Sequence, residues 1–432
     1  MSWRRIRRYL NPEQWGVVDL RNEWRNLFDA AQEELAEFHP MRRVVDGQIQ
    51  VIDFFSGAGG TSQGFAAINR LLSCFKMLGG CDINRVSAET YSYNYHTTLL
   101  NADIRELAYT PGVLDEKLEE IGYDEDMPTI LVGCAPCQGF SSHRKKHWGE
   151  EEDQRNNLVL AFMEIVRAIR PVAVLMENVP EFLSGRYWEH FHRAQEIMTG
   201  LGYVVKDNIY NAAEFGVPQE RFRSIVIAMQ KNFVLPTGVW GKDEFRTVRN
   251  AIGDLPPVAA GIAAPNDPMH KSAGHKAETV EVIRQVPHDG GSRPVGVGPR
   301  CLDRTKGFSD VYGRLYWDRP SITITHYARN PASGRYSHPE QDRGLTAREA
   351  ARLQSFPDGF VFMGKMDDVY RQIGEAVPPL LALGVVTRLL VELLSCEPTG
   401  EELEEGPESI NTPVSSSYSS VIAGIKMARR KA

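Results

Sequence analysis

The chain has 432 residues, 42 % hydrophobic and 24 % charged, with a formal net charge of -7. This exceeds the ~100 to 200 residues of a usual single domain, and the composition is that of a globular protein, which excludes a low-hydrophobicity disordered chain. No run of about 18 apolar residues occurs and Met1-Ser2-Trp3-Arg4-Arg5 leads into no signal-peptide core, so neither a membrane span nor secretion is expected, and the six cysteines are expected to be reduced, in the cytoplasm.

Leu20, Trp24, Leu27, Phe28, Ala31, Leu35 and Phe38 form a helix-period apolar stripe ending before Pro40, which predicts a packing helix in residues 1–48. Val51–Phe55 reads as a strand that runs into Ser56-Gly57-Ala58-Gly59-Gly60, with a helix following from Thr61 to Leu72. Glycines let such a turn bend sharply and approach a ligand, although the spacing meets G-x-G-x-x-G only loosely. Asp82 follows at the tip of a second strand, where a carboxylate can bind both hydroxyls of a ribose. Asp103 has two readings, a partner for the exocyclic amino group of an adenine or a helix N-cap before Ile104. Ribose and adenine recognition without a P-loop lysine suits S-adenosylmethionine better than NAD or ATP.

Thr129–Val132 is a further strand leading into Gly133-Cys134-Ala135-Pro136-Cys137-Gln138-Gly139-Phe140-Ser141. A thiolate at Cys137 can add to C6 of a pyrimidine and turn C5 into a carbon nucleophile, provided an acid near N3 neutralises the charge that builds on the ring. Glu177, after the apolar run Val172–Met176, is the candidate acid; its strand-end position implies partial burial and a raised pKa. Pro136 fixes a backbone dihedral ahead of the nucleophile. The bland readings are a packing cysteine and a structural ion pair. Cys134 and Cys137 form a C-x-x-C with no second pair at zinc-like spacing, so metal chemistry is set aside. Neither face of a stacked cytosine is open to a thiolate, so the base must be flipped out. Ser141, Ser142 and the basic residues up to Trp148, with Arg155 beyond, read as a loop that grips phosphates, or as a solvated loop.

Leu158–Ile169 reads as a helix and Ser224–Met229 as a strand; the alternation predicts a largely parallel sheet covered on both faces, with ligands at the strands' carboxyl ends. Gln219, Arg221 and Arg223 alternate at period two, which on a strand places them on one face toward an anionic target, or along a solvated edge. After about Lys231 Pro, Gly and His become frequent; residues 231–330 carry fourteen Lys/Arg against ten Asp/Glu, so one basic face can serve DNA on an acidic molecule. Gly313–Thr325 alternates like a strand, and Arg293, Arg300, Arg304 and Arg335 read as plain surface residues or as phosphate or guanine contacts. Leu380–Leu394 forms a last helix. The acidic, Ser-rich stretch from Glu397 predicts disorder.

Together these motifs resemble the C5-cytosine DNA methyltransferase family, in the family's order, from about Val51 to Val386. Asp53–Gly60 resembles its first motif, which implies cofactor contacts at Phe55, Gly57, Gly59 and Gly60. Asp82-Ile83 stands where the family has a ribose-binding acid and an apolar residue against the adenine, and Asp103-Ile104 resembles the third motif. Pro136-Cys137-Gln138 and Glu177-Asn178-Val179 match the catalytic and acidic motifs. Gln219–Arg223 matches Q-x-R-x-R, and Arg343–Pro357 the ninth motif. Gln372–Pro379 resembles the motif that closes the cofactor pocket, through Glu375, where many members have asparagine, and Ala376.

The resemblance implies an α/β fold: a Rossmann-like S-adenosylmethionine-dependent methyltransferase domain with a smaller, loop-rich target-recognition domain. The expected division is an N-terminal helical extension (1–48), a catalytic and cofactor-binding domain (49–230), the target-recognition domain (231–370), a returning C-terminal segment (371–396) and a disordered tail (397–432). It implies a DNA cytosine-5 methyltransferase acting as a monomer on double-stranded DNA in a prokaryotic or phage restriction-modification or defence system, with a cognate restriction endonuclease as partner. In that reading Cys137, Glu177, Arg221 and Arg223 are catalytic, and Ser141, Ser142, Arg155 and Gln219 face DNA. A tRNA-methylating relative and a catalytically silent DNA-binding homologue are the alternatives.

Overall fold

The computed structural model describes residues 3–135, 150–184, 188–304 and 310–410. Its centre is a seven-stranded sheet of β1 (Ile49–Phe54), β2 (Phe75–Cys81), β3 (Thr98–Leu100), β4 (Thr129–Gly133), β5 (Ala173–Asn178), β6 (Val204–Asn211) and β7 (Phe222–Met229), in the order β3-β2-β1-β4-β5-β7-β6. β1 and β4 are buried at every position, as expected of strands covered on both faces, and so read as unbroken apolar runs with few polar interruptions. β1 pairs in parallel with β2 and β4, and β4 with β5, while β7 runs antiparallel between β5 and β6. Strand order reverses between β1 and β4, which opens a crevice where the two chains leave the sheet at its carboxyl edge.

Helices α2 (Gly60–Leu72), α3 (Arg85–Tyr95), α4 (Ile104–Tyr109), α5 (Val113–Glu120), α6 (Glu150–Ile169) and α7 (Trp188–Gly200) alternate with the strands, and α1 (Trp24–Ala36) precedes them. The expected stripe is the buried face of the extension: Leu20, Leu27, Phe28, Ala31, Leu35 and Phe38 are all buried, and α1 packs on α2. Beyond the sheet come α8 (Val248–Ile252), the hairpin β8 (Ala263–Ala264) and β9 (Asp267–Lys271), α9 (Ala277–Arg284), α10 (Cys301–Arg304), α11 (Ala347–Leu353), α12 (Met366–Glu375), α13 (Pro379–Leu394) and α14 (Gly400–Glu405). α13 is buried at every residue and lies along α1 and α2. Among the described residues no single helix is long and apolar enough to cross a membrane.

Two expectations are corrected. Gly313–Thr325 forms no strand; its alternation comes from burial against the same core as the sheet, with isolated bridges at Arg314 and Ser321 instead of a ladder. Residues 397–410 are ordered: a capping box at Thr399 and Glu402 starts α14, Arg21 pairs with Glu402 at 3.4 Å, and the Ile410 N–H donates to the Asp207 carbonyl at 3.0 Å. Residues 411–432 lie outside the described residues.

Candidate active site at the carboxyl ends of the strands

The turn after β1 is shaped by what packs beneath it. Gly59 has φ +94° and caps α2, and a Cβ there would lie 2.3 Å from the Tyr95 ring. Gly60 has no room for another reason: its Cβ would meet the Val377 carbonyl at 2.2 Å and the Ala376 methyl at 3.1 Å. The segment after α12 therefore rests directly on the start of α2, and joins two motifs more than 300 residues apart in sequence. Both oxygens of Asp82 hold the turn, accepting from the Gly57 N–H at 2.9 Å and the Asn84 N–H at 2.7 Å, and burial raises its carboxyl above the ordinary value. Beside it Ile83 is 70 % exposed, a large apolar side chain with little protein cover, while the Ser56 hydroxyl is buried with no hydrogen-bond partner and Phe55 is half-buried.

Of the two readings of Asp103, the N-cap is present: it accepts from the Arg105 N–H at 2.9 Å. The Arg105 guanidinium, hydrogen-bonded at 2.5 Å, holds its carboxyl below the usual range, and Ile104 is buried behind it.

Asp53 is an acid that motif reading passed over, although a lone carboxylate inside an apolar strand is itself a signal. It is 1 % exposed, accepts from Ser62 at 2.7 Å through one oxygen and has no partner on the other. Burial, reinforced by Asp82, pushes its pKa up from 3.8 to about 7. An acid raised on folding stabilises the fold fully below its unfolded pKa and loses that contribution as pH rises through the folded one. Asp53→Asn should therefore gain on the wild type as pH climbs from 4 to 8; equal urea midpoints for the two proteins at pH 5 and pH 8.5 would refute this.

Glu177 is the next-to-last residue of β5 and its side chain is 13 % exposed, as is that of Arg223, whose guanidinium lies 2.8 Å away on the neighbouring antiparallel β7. Burial raises the Glu177 carboxyl, opposed by Arg223 and then Arg221. Next to it, Asn178 donates from Nδ2 to the Ala135 carbonyl at 3.1 Å, so the chain running toward Cys137 is fastened to the residue beside the acid. Cys134 lies 3.5 Å from the Thr61 hydroxyl, which joins the end of β4 to the start of α2. Burial, then the Glu177 charge, pushes the Cys134 thiol well up, so it stays protonated and unreactive. Cys137, Pro136, Ser141 and Ser142 lie outside the described residues, and so does the side chain of Arg155.

The structure places the remaining candidates elsewhere than at a shared surface. β7 begins at Phe222, so Gln219 and Arg221 precede it and period two does not apply to them. Gln219 is fully buried, donating to the Leu353 carbonyl and Gln354 and accepting from the Ile324 N–H at 2.8 Å, which removes it from a DNA face. Arg221 is 1 % exposed and donates to the carbonyls of Ile324 at 2.9 Å, Gly374 at 3.1 Å and Ala376 at 3.0 Å. Two arginines expected at DNA are also internal: Arg335 donates to the Gly290 and Arg314 carbonyls, and Arg293 pairs with Asp303 at 2.8 Å. Asn178 was the positioning residue that sequence reading missed, having been read only as part of the acidic motif.

Residues 49–390 match the sequence model of the C-5 cytosine-specific DNA methylase family. The chain is 33 % identical over 350 residues to the Type II methylase M.HgiDII of Herpetosiphon aurantiacus, covering 78 % of this chain and 93 % of that one. It is 34 % identical over 344 residues to the Type II methyltransferase M1.HphI of Haemophilus parahaemolyticus, covering 78 % and 86 %. In fold it is similar to a protein encoded within an E. coli prophage and described as a DNA modification methyltransferase, with a TM-score of 0.61 and 22 % identity over 80 % of this chain and 99 % of that one. With the Rossmann-like sheet, the glycine turn at its switch point and the acid at the end of β5 already in place, the match over these residues is decisive: the chain belongs to the C-5 cytosine-specific DNA methylase family.

Proposed function

We propose that the protein methylates C5 of a cytosine flipped out of a specific duplex DNA sequence, taking the methyl group from S-adenosylmethionine, as the methylase of a restriction-modification or defence system with a cognate endonuclease. The observation that carries this reading is the pairing of a buried acid with the chain leading to a cysteine: Glu177 stands beside Asn178, which holds the Ala135 carbonyl two residues before Cys137. Cys137 adds as thiolate to C6 of the ring, and Glu177 gives a proton or hydrogen bond at N3 as charge develops. Arg223 orients Glu177 and Arg221 ties the site's rear wall together. Once C5 carries the methyl group that the donor would supply, loss of the C5 proton to a base lets the C6–S bond break, which returns Cys137 as thiolate and the ring to aromaticity.

The residues present fit the donor. The turn of Phe55, Gly57, Gly59 and Gly60 would border it, Asp82 has lone pairs left for ribose hydroxyls, and the uncovered Ile83 would offer an apolar face to the adenine. At the adenine edge Asp103 shares its carboxylate with Arg105 and Ile104 backs it, while Glu375 and Ala376 are assigned to closing the pocket and Pro136 to a donor contact. When bound, S-adenosylmethionine supplies an electrophilic methyl group.

The division of labour follows the chain: extension 1–48, catalytic domain 49–230, target recognition 231–370, returning segment 371–396 and tail 397–432, working as a monomer on DNA in the cytoplasm. Ser141, Ser142 and Arg155 are assigned to phosphates. The test is trapping. Duplex DNA carrying 5-fluorocytosine at the target should form a donor-dependent covalent adduct, because fluorine blocks loss of the C5 substituent. An adduct that persists in Cys137→Ala, or methyl label found on adenine, would overturn the proposal.

A further inference from the structure

Residues 1–48 precede the stretch shared with the family, yet they reach the back of the cofactor turn. Phe38 is 2 % exposed, with ring centroids 6.2 Å from Tyr95 and 6.1 Å from Phe360. Just beyond it, the Met41 N–H donates to the Asn94 carbonyl at 2.8 Å, which fixes the extension to the end of α3. Tyr95 is fully buried and donates its hydroxyl to the Gly59 carbonyl at 2.5 Å. Its ring lies 4.6 Å from that of Tyr91, and these two rings are what a side chain at Gly59 would strike. The Tyr91 hydroxyl bonds to Ser62 at 2.9 Å, on the first turn of α2.

A mechanical path therefore runs from Phe38 through Tyr95 to the residue where the turn becomes a helix. Buried aromatic rings have few rotamers and fill fixed volume, so they transmit position well. The Gly59 backbone, at positive φ, is otherwise held only by the turn's own bond from its N–H to the Ser56 carbonyl at 2.8 Å and by the helix it starts.

We infer that Phe38 and Tyr95 are positioning residues for the methyl donor: through these two rings the N-terminal extension braces the glycine turn against which the donor binds. This rests on the reading that the turn holds S-adenosylmethionine. Loosening the brace widens the range of turn geometries in the free protein. Donor affinity then falls, while the rate from the fully bound complex is kept.

The experiment uses the full chain, with donor binding measured by titration calorimetry and steady-state rates at varied S-adenosylmethionine and saturating DNA. Tyr95→Phe deletes only the hydroxyl and is expected to raise Kd and KM for the donor about 5- to 20-fold, the scale of one buried hydrogen bond. Its kcat and its KM for DNA should stay within about twofold. Phe38→Ala should do the same and Phe38→Leu should recover most of the loss. Leu20→Ala is the control, since Leu20 is equally buried but bonds to Ser395, at the far end of the 16-residue α13, roughly 24 Å from the end near Gly60. It should lower Tm and leave the donor KM alone. If Phe38→Ala does not fold, Tyr95→Phe decides the matter. Wild-type donor binding with unchanged Kd in Tyr95→Phe would overturn the brace alone, whereas a wild type that binds no S-adenosylmethionine would overturn the reading of the turn, and the brace with it.

Discussion

Glu177→Gln is expected to lower kcat for cytosine methylation by about 100- to 10,000-fold, the usual worth of a positioned general acid. Glutamine keeps the shape and can still offer a weak hydrogen bond, so binding of DNA and donor should change little; what disappears is the transferable proton. The environment favours the proton-carrying form of the acid. Burial raises the Glu177 carboxyl, and Arg223 at 2.8 Å limits the rise. The protonated form is the active one, so the rate should fall as pH increases through the raised pKa. Arg223→Met removes the opposing cation and should move that alkaline limb to higher pH. The stability term has the same sign: it is present in full below the ordinary glutamate pKa and fades as pH rises through the folded value. Single-turnover transfer of labelled methyl groups between pH 5 and 9 reads both effects. A Glu177→Gln rate within threefold of wild type at every pH would remove Glu177 from the chemistry.

The largest loss of stability is expected at Arg221, not at the catalytic centre. Its guanidinium is buried and satisfies the carbonyls of Ile324, Gly374 and Ala376. Arg221→Leu fills much of the volume but leaves the Ile324 and Gly374 carbonyls without their donor and Ala376 with its longer 3.4 Å bond from Gln354, at a cost on the order of 3–5 kcal/mol. Arg221→Lys should recover little, because one ammonium cannot reproduce the planar fork that spans two separate loops. Ala376, with Val377 next to it, also seats Gly60, so donor affinity should drop together with stability. Urea midpoints and donor titration on the same preparations test this; a Leu variant within about 1 kcal/mol of wild type would show that the carbonyls find other partners.

The parallel strands were legible because burial on both faces leaves an almost purely apolar run, and the glycine turn because few other residues fit it. Glu177 and Asp82 were legible from strand-end position together with motif order. The cations were not. Arg221 and Arg335 look in sequence like any exposed arginine, and only the backbone carbonyls arriving from distant loops turn them inward, whereas Arg293 is drawn in locally by the Val297 carbonyl and Asp303. Gln219 and Arg221 misled for a local reason: their spacing matched a strand that starts one residue later, at Phe222. Gly313–Thr325 alternated in sequence, yet it crosses the core as a loop: Leu315, Trp317 and Ile324 are buried, Asp318 and Arg319 are exposed, and isolated bridges at Arg314 and Ser321 stand in place of a ladder.

The contact between Gly60 and the Val377 carbonyl sets an order of events during biosynthesis. A nascent chain still short of that carbonyl carries the glycine turn but not the seat it rests on. Unfinished copies on the ribosome thus lack a complete cradle, and competence to methylate DNA waits until Val377 has been added and can fold back on Gly60.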